Sequence, residues 1–163
     1  MSIHPSPPSS TPRFNPPRPL RDWERRILEV ATAFPFVLGG ASLRRQIPYT
    51  RVVGECTCGC LSVDLVTDPH PEDRVVDDKH GRHYEVYGTD ADGMGISALL
   101  FEREGYLSQL EVLRNDGSPF THQPDPRRFL DVGQDPAARE AREVLGLAGE
   151  TEDQYDDAPL PVA

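Results

Sequence analysis

Between Pro19 and Pro35 the apolar residues Leu20, Trp23, Ile27, Val30 and Phe34 recur at steps of three and four. Leu28 and Ala31 widen this stripe, and Glu24, Arg25, Arg26 and Glu29 fall on the wet side. That period predicts an amphipathic helix stopped by Pro35. A second, short helix is expected from Ser42 as N-cap through Leu43 to Ile47, closed by Pro48. The period then falls to two. Residues 52–56 and 61–67 flank Thr57-Cys58-Gly59 and read as a hairpin, with Leu61, Val63 and Leu65 on one face and Ser62 and Asp64 on the other.

Residues 95–115 predict the central hairpin, two strands reversing at Glu104-Gly105, where Gly supplies the positive φ such a loop needs. A two-residue loop sets Arg103 opposite Tyr106. Strict pairing from there places Phe101 opposite Ser108, Leu99 opposite Leu110 and Ser97 opposite Val112. The expected core face is therefore Leu99, Phe101, Tyr106, Leu110 and Val112. The opposite face carries Ile96, Leu100, Leu107 and Leu113 among Glu102, Gln109 and Glu111.

A connecting strand is expected over 84–89, and Asp90-Ala91-Asp92-Gly93 turns it into the hairpin. Residues 68–82 lack a period and read as a mobile loop, and 127–132 as a short edge piece. Asp135-Pro136 begins a helix over 137–147, with Ala137, Ala141, Val144 and Leu145 as its apolar stripe and Gly146 and Gly149 at its end. The expected organisation is a disordered Pro/Ser-rich arm (1–18), a globular α+β domain (19–132), a C-terminal helix (133–149) and a disordered acidic tail (150–163). The fold class is α+β: an antiparallel sheet of two hairpins plus a connecting strand, packed by N-terminal helices.

Composition narrows the function. The 163 residues carry a formal charge of -10. With five tail acids and with Arg13 and Arg18 of the arm set aside, the body holds -7. Such a surface repels phosphate backbones, which argues against nucleic acid and favours a basic protein partner. No apolar run is long enough for a membrane span, and the arm has no apolar segment of a secretory signal, so the expectation is a cytoplasmic protein.

Cys56-Thr57-Cys58-Gly59-Cys60 is the unusual local chemistry. Thiolates are soft ligands, and three so close suit zinc if a histidine from the 70–83 loop, His70, His80 or His83, completes the set. Structural zinc commonly uses two residues between paired cysteines, so the bland alternative is a tight turn made by Gly59 and lined with small thiols. Asp90-Ala91-Asp92-Gly93 departs from a calcium loop, with Gly88 and Leu99 where acids belong. Asp77, Asp78, His80, His83 and Glu85 form a polar group a hydrolase can use, but no nucleophile elbow or phosphate loop accompanies it. Trp23 lies on the apolar stripe and is expected in the core.

Several short motifs carry a resemblance. They are Pro19-Leu20 before Glu24 and the first helix, Leu43-Arg44-Arg45-Gln46-Ile47, Ser62-Val63, Asp90-Ala91-Asp92-Gly93, Gly105-Tyr106-Leu107-Ser108-Gln109-Leu110-Glu111 and Pro124-Asp125-Pro126. Over residues 19–128 the chain resembles a family of small, uncharacterised bacterial α+β domains, some of which look like immunity proteins of toxin systems. Arg21 departs from the Ser or Thr helix cap the resemblance leads one to expect, so a capping box with Glu24 is not expected. The negative body, the half-apolar second face of the central hairpin and the lack of a catalytic constellation lead to the expectation of a non-enzymatic domain that binds another protein. To this the resemblance adds an immunity- or antitoxin-like role. Leu100, Leu107, Gln109 and Glu111 are the candidate contacts, with Glu111 matching the family's Glu and no cofactor required. The plain alternative for those four is a sheet face covered by a helix.

Overall fold

A computed structural model describes residues 13–76, 82–131, 135–148 and 155–160. Six strands, β1 (Arg13–Pro19), β2 (Thr50–Glu55), β3 (Val63–Thr67), β4 (Arg82–Thr89), β5 (Gly95–Arg103) and β6 (Tyr106–Arg114), form one antiparallel sheet. Their order is β1-β2-β3-β6-β5-β4. Helices α1 (Asp22–Thr32) and α2 (Gly40–Gln46), the 3-10 helix Pro126–Leu130 and α3 (Pro136–Val144) supply the other side of one hydrophobic core. This is the α+β architecture expected.

The α1 stripe is buried as its period requires: Trp23, Ile27, Leu28, Val30 and Ala31 all lie in the core, with Phe34 just beyond the helix. Each such side chain contributes roughly 1.5–3 kcal/mol by leaving water. Half of a capping box exists despite Arg21. Glu24 Oε2 accepts from the Arg21 backbone N–H at 2.7 Å, whereas the Arg21 guanidinium can only donate. Trp23 is buried with its indole N–H on Pro124 O at 2.7 Å.

The central hairpin forms and reverses at Glu104-Gly105, both with positive φ (54° and 87°). Its register differs from the expected one. Arg103 pairs with Tyr106 and Glu102 with Leu107, but Phe101 then pairs with Gln109, because Ser108 is an extra residue in β6. This β-bulge puts Leu107 and Leu110 on the same side although they are three apart. The core face is Ile96, Ala98, Leu100, Leu107, Leu110 and Val112. Leu99 now faces Glu111, so Leu99 and Leu110 lie on opposite sides of the ribbon, and Leu99 and Phe101 stand half-buried on the other face.

Other boundaries move for tertiary reasons. Residues 13–18 belong to β1, which pairs with β2 at the sheet edge instead of lying free. Arg18 bridges Glu24 of α1 and Glu55 of β2, which ties that edge to the helix layer. α2 starts at Gly40 behind Gly39, whose φ of 68° suits glycine, and not at Ser42. The segment expected as an edge piece is the 3-10 helix, with Phe129 and Leu130 buried. α3 does start at Asp135-Pro136, where the Asp135 carboxylate accepts from Ala137 N–H at 3.0 Å. Its buried residues are Ala138 and Ala141, and Val144 is exposed.

Part of the expected free tail is also docked. Ala158 pairs with Gln123 through two backbone hydrogen bonds, and Asp157 holds Arg128 through both carboxylate oxygens at 2.7 and 2.8 Å. Residues 155–160 thus strap the 3-10 helix.

Candidate functional site

The helices cover one face of the sheet. The other carries His83, Glu85 and Tyr87 of β4, Leu99 and Phe101 of β5, Gln109, Glu111 and Leu113 of β6 and Asp64 of β3. A groove of about 1330 Å³ runs over this face, and the cysteine turn forms part of its wall.

The turn joins β2 to β3 and is fixed by contacts that do not involve sulfur. Cys56 N–H donates to Ser62 O at 3.0 Å, Leu61 N–H to Val112 O at 2.9 Å and Phe120 N–H to Gly59 O at 3.0 Å. Gly59 has φ 97°, and a Cβ there would sit 2.5 Å from Pro119 Cβ, so only glycine allows the turn to lie against that proline.

On this frame Cys56, Cys58 and Cys60 converge. Their three Sγ atoms lie within 4.8 Å of one another, Cys56 to Cys58 at 2.7 Å and Cys58 to Cys60 at 3.0 Å. Both separations exceed the roughly 2.05 Å of a disulfide, and all three are free thiols. Cys58 is exposed, and its flanking partners are half-buried.

The trio is electrostatically unequal. Burial, then the hydrogen bond with Cys58, pushes the Cys56 thiol up to about 12. Hydrogen bonding with Cys56 and Cys60 holds the Cys58 thiol below its usual value. The thiols themselves therefore stabilise a central thiolate, with no basic side chain needed.

The histidines expected to join them stand elsewhere. His70 lies beyond the far end of β3, stacked on Tyr49 with centroids 3.8 Å apart. His83 is on β4, with β6 and β5 between it and the turn, and stacks on Phe101 at 5.7 Å. His80, with Asp77 and Asp78, lies outside the described residues. Among the described residues, the cysteine trio is the one group of three potential ligands that converges.

The four candidate contact residues divide. Leu100 and Leu107 are each 1% exposed, under the helix layer, and present no surface to a partner. Gln109 and Glu111 stand on the open face, with Gln109 Nε2 on Glu111 Oε1 at 3.2 Å. Burial, followed by the nearby Asp64 charge, raises the Glu111 carboxyl above its ordinary value.

The Asp90-Ala91-Asp92-Gly93 segment is a turn, as expected, and its acids are already engaged. Arg114 pairs with Asp90 and, at 2.6 Å, with Asp92, while His122 Nε2 lies 2.8 Å from Asp90 Oδ1. The Gly59–Pro119 contact was invisible to sequence reading, since no local pattern links residues 60 apart.

The fold and site define an α+β domain with a one-sided antiparallel sheet and a three-thiol turn at the margin of its open face. No protein-family model, curated protein or solved structure matches the chain.

Proposed function

We propose that this domain binds a thiophilic metal ion through Cys56, Cys58 and Cys60. The observation that supports this reading is the convergence of three free thiols within 4.8 Å on a turn held by unrelated contacts. Thiolates repel one another and are costly to bring together unless a cation is shared, and soft ions such as zinc or monovalent copper prefer sulfur donors. This reading takes up the sulfur part of the zinc alternative, while its histidine part gains no support from His70 or His83.

Metal analysis of protein purified without chelator, and again after anaerobic reconstitution, tests the reading. About one ion per chain is expected, lost when Cys58→Ser is introduced. A ratio near zero in both preparations overturns it.

The open sheet face favours a second reading, in which a basic polypeptide segment lies across Phe101, Gln109 and Glu111. The chain's charge of -10 and the half-buried apolar side chains beside Glu111 support it. This is the partner-binding role expected from charge and the hairpin's second face, moved from Leu100 and Leu107 to the exposed side. Pull-downs from host lysate at low and moderate salt test it. Capture of a basic protein, abolished by Phe101→Ser, is the expected result, and a partner retained by that variant counts against this surface.

A further inference from the structure

Resting on the metal-binding reading, we propose that the ion is monovalent copper, held by Cys56, Cys58 and Cys60 alone in a three-coordinate, all-sulfur site. Three observations lead there. The donor set is sulfur only, and the three donors come from alternate residues of one turn. Among the described residues no imidazole or carboxylate converges with them: His70 stacks on Tyr49 and His83 on Phe101, and His122 contacts Asp90. The backbone hydrogen bonds to Ser62, Val112 and Phe120, with Gly59 seated on Pro119, hold the turn in place, so it cannot travel to fetch a distant fourth ligand.

Ligand number then selects the ion. Zinc in a structural site is tetrahedral and takes four protein donors, so three thiolates leave it needing water. Monovalent copper is softer and is content with three thiolates in a plane. Hard cations are excluded because they take oxygen ligands. Binding converts three thiols and one copper(I) ion to a copper tris-thiolate, with up to three protons passing to solvent and no change in oxidation state. Affinity therefore rises with pH. The exposed Cys58 sulfur gives the ion a way in from solvent, and the half-buried Cys56 and Cys60 shield its inner side.

The test is anaerobic titration of the full chain with copper(I) against bicinchoninate, with X-ray absorption at the copper edge and a parallel zinc(II) arm. One copper per chain is expected, with three sulfur neighbours and no nitrogen or oxygen. Each Cys→Ser variant should weaken binding by more than the roughly 100-fold that loss of an outer-shell partner costs. His70→Ala, His80→Ala and His83→Ala should leave it unchanged, and circular dichroism of each variant confirms folding. A nitrogen donor, loss of affinity in any histidine variant, or several coppers per chain overturns the three-coordinate copper site while leaving thiolate metal binding intact. So does zinc held four-coordinate more tightly than copper. Failure to retain either metal overturns both.

Discussion

Gln46 reaches across 61 residues to Leu107, accepting its backbone N–H on Oε1 at 2.9 Å. The same side chain donates through Nε2 to Gly105 O and to Asp73 O, each at 2.8 Å. It is wholly buried at the end of α2. One amide thus does for the end of the central hairpin what a neighbouring strand would do, and it joins helix, hairpin and the 71–73 turn at one point.

Removing that amide strands the buried Leu107 N–H and Asp73 carbonyl, while Gly105 O keeps the Val75 N–H at 3.0 Å. Gln46→Leu should cost about 2–4 kcal/mol, read from urea denaturation, since each unsatisfied group costs about 1–3 kcal/mol. Gln46→Glu should be worse at pH 7, because it turns a charged oxygen toward two carbonyls. It should recover partly on acidification, when the carboxyl proton restores a donor. A Gln46→Leu protein as stable as wild type overturns this account of the hairpin.

Gly105 and Gly93 both have φ of 87°, but their surroundings differ. A Cβ at Gly105 would stand 2.5 Å from Arg74 Cγ and Val75 O, whereas nothing lies within 4 Å at Gly93. Gly93→Ala should therefore cost only the backbone term, about 1 kcal/mol, and Gly105→Ala clearly more, toward the upper part of a 1–3 kcal/mol range. Equal losses in thermal unfolding would show that the packing against residues 74 and 75 does not matter.

Asp125 governs the acid limit of the strap. Burial by itself pushes this carboxyl up, but hydrogen bonds from the Arg127 side chain and from the Asp156 and Arg127 backbone outweigh it and hold it below its ordinary value. Asp157 is lowered too, chiefly by Arg128. Depressed folded values mean stability that is present above the unfolded carboxylate range, near pH 4, and lost as pH falls through the folded values. Asp125→Asn should cost about 2 kcal/mol at pH 7, and progressively less as pH falls below about 4. Chemical denaturation across that pH range checks this.

Glu111 has the opposite sign. Its folded value is raised by burial and by Asp64, so its ionised form opposes folding, and stability is lost as pH rises from the unfolded value through the folded one. Glu111→Gln keeps an acceptor for Gln109 and should raise the urea midpoint at pH 7. The gain should vanish near pH 3, where both states are protonated. An unchanged midpoint at pH 7 removes Glu111 as a site of stored electrostatic cost.

Metal should stabilise the fold without being needed for it, because the turn is pinned by backbone contacts and Pro119. At about 100 times the dissociation constant a bound ion adds about 2.7 kcal/mol. Thermal unfolding should show that gain in wild type and none in Cys58→Ser, with the metal-free proteins alike. Metal-free wild type that is unfolded would instead make the ion part of the core.

What the sequence determined by itself is what short-range physics encodes. The α1 stripe, the reversal at Glu104-Gly105, the Asp135-Pro136 helix start and the cysteine turn all follow from spacing and turn chemistry within a dozen residues. The tertiary structure alone decided which face of the central hairpin is the core, because the extra residue Ser108 inverts the pattern where α2 and Gln46 meet the sheet. It also gave partners to segments that are too polar to fold alone. Residues 13–18 acquire an edge strand from β2, and 155–160 acquire Arg128 and Gln123. The candidate fourth ligand of the cysteine turn went the same way. His83 stands three strands from the turn because strand order, a long-range outcome of core burial, sets which residues meet.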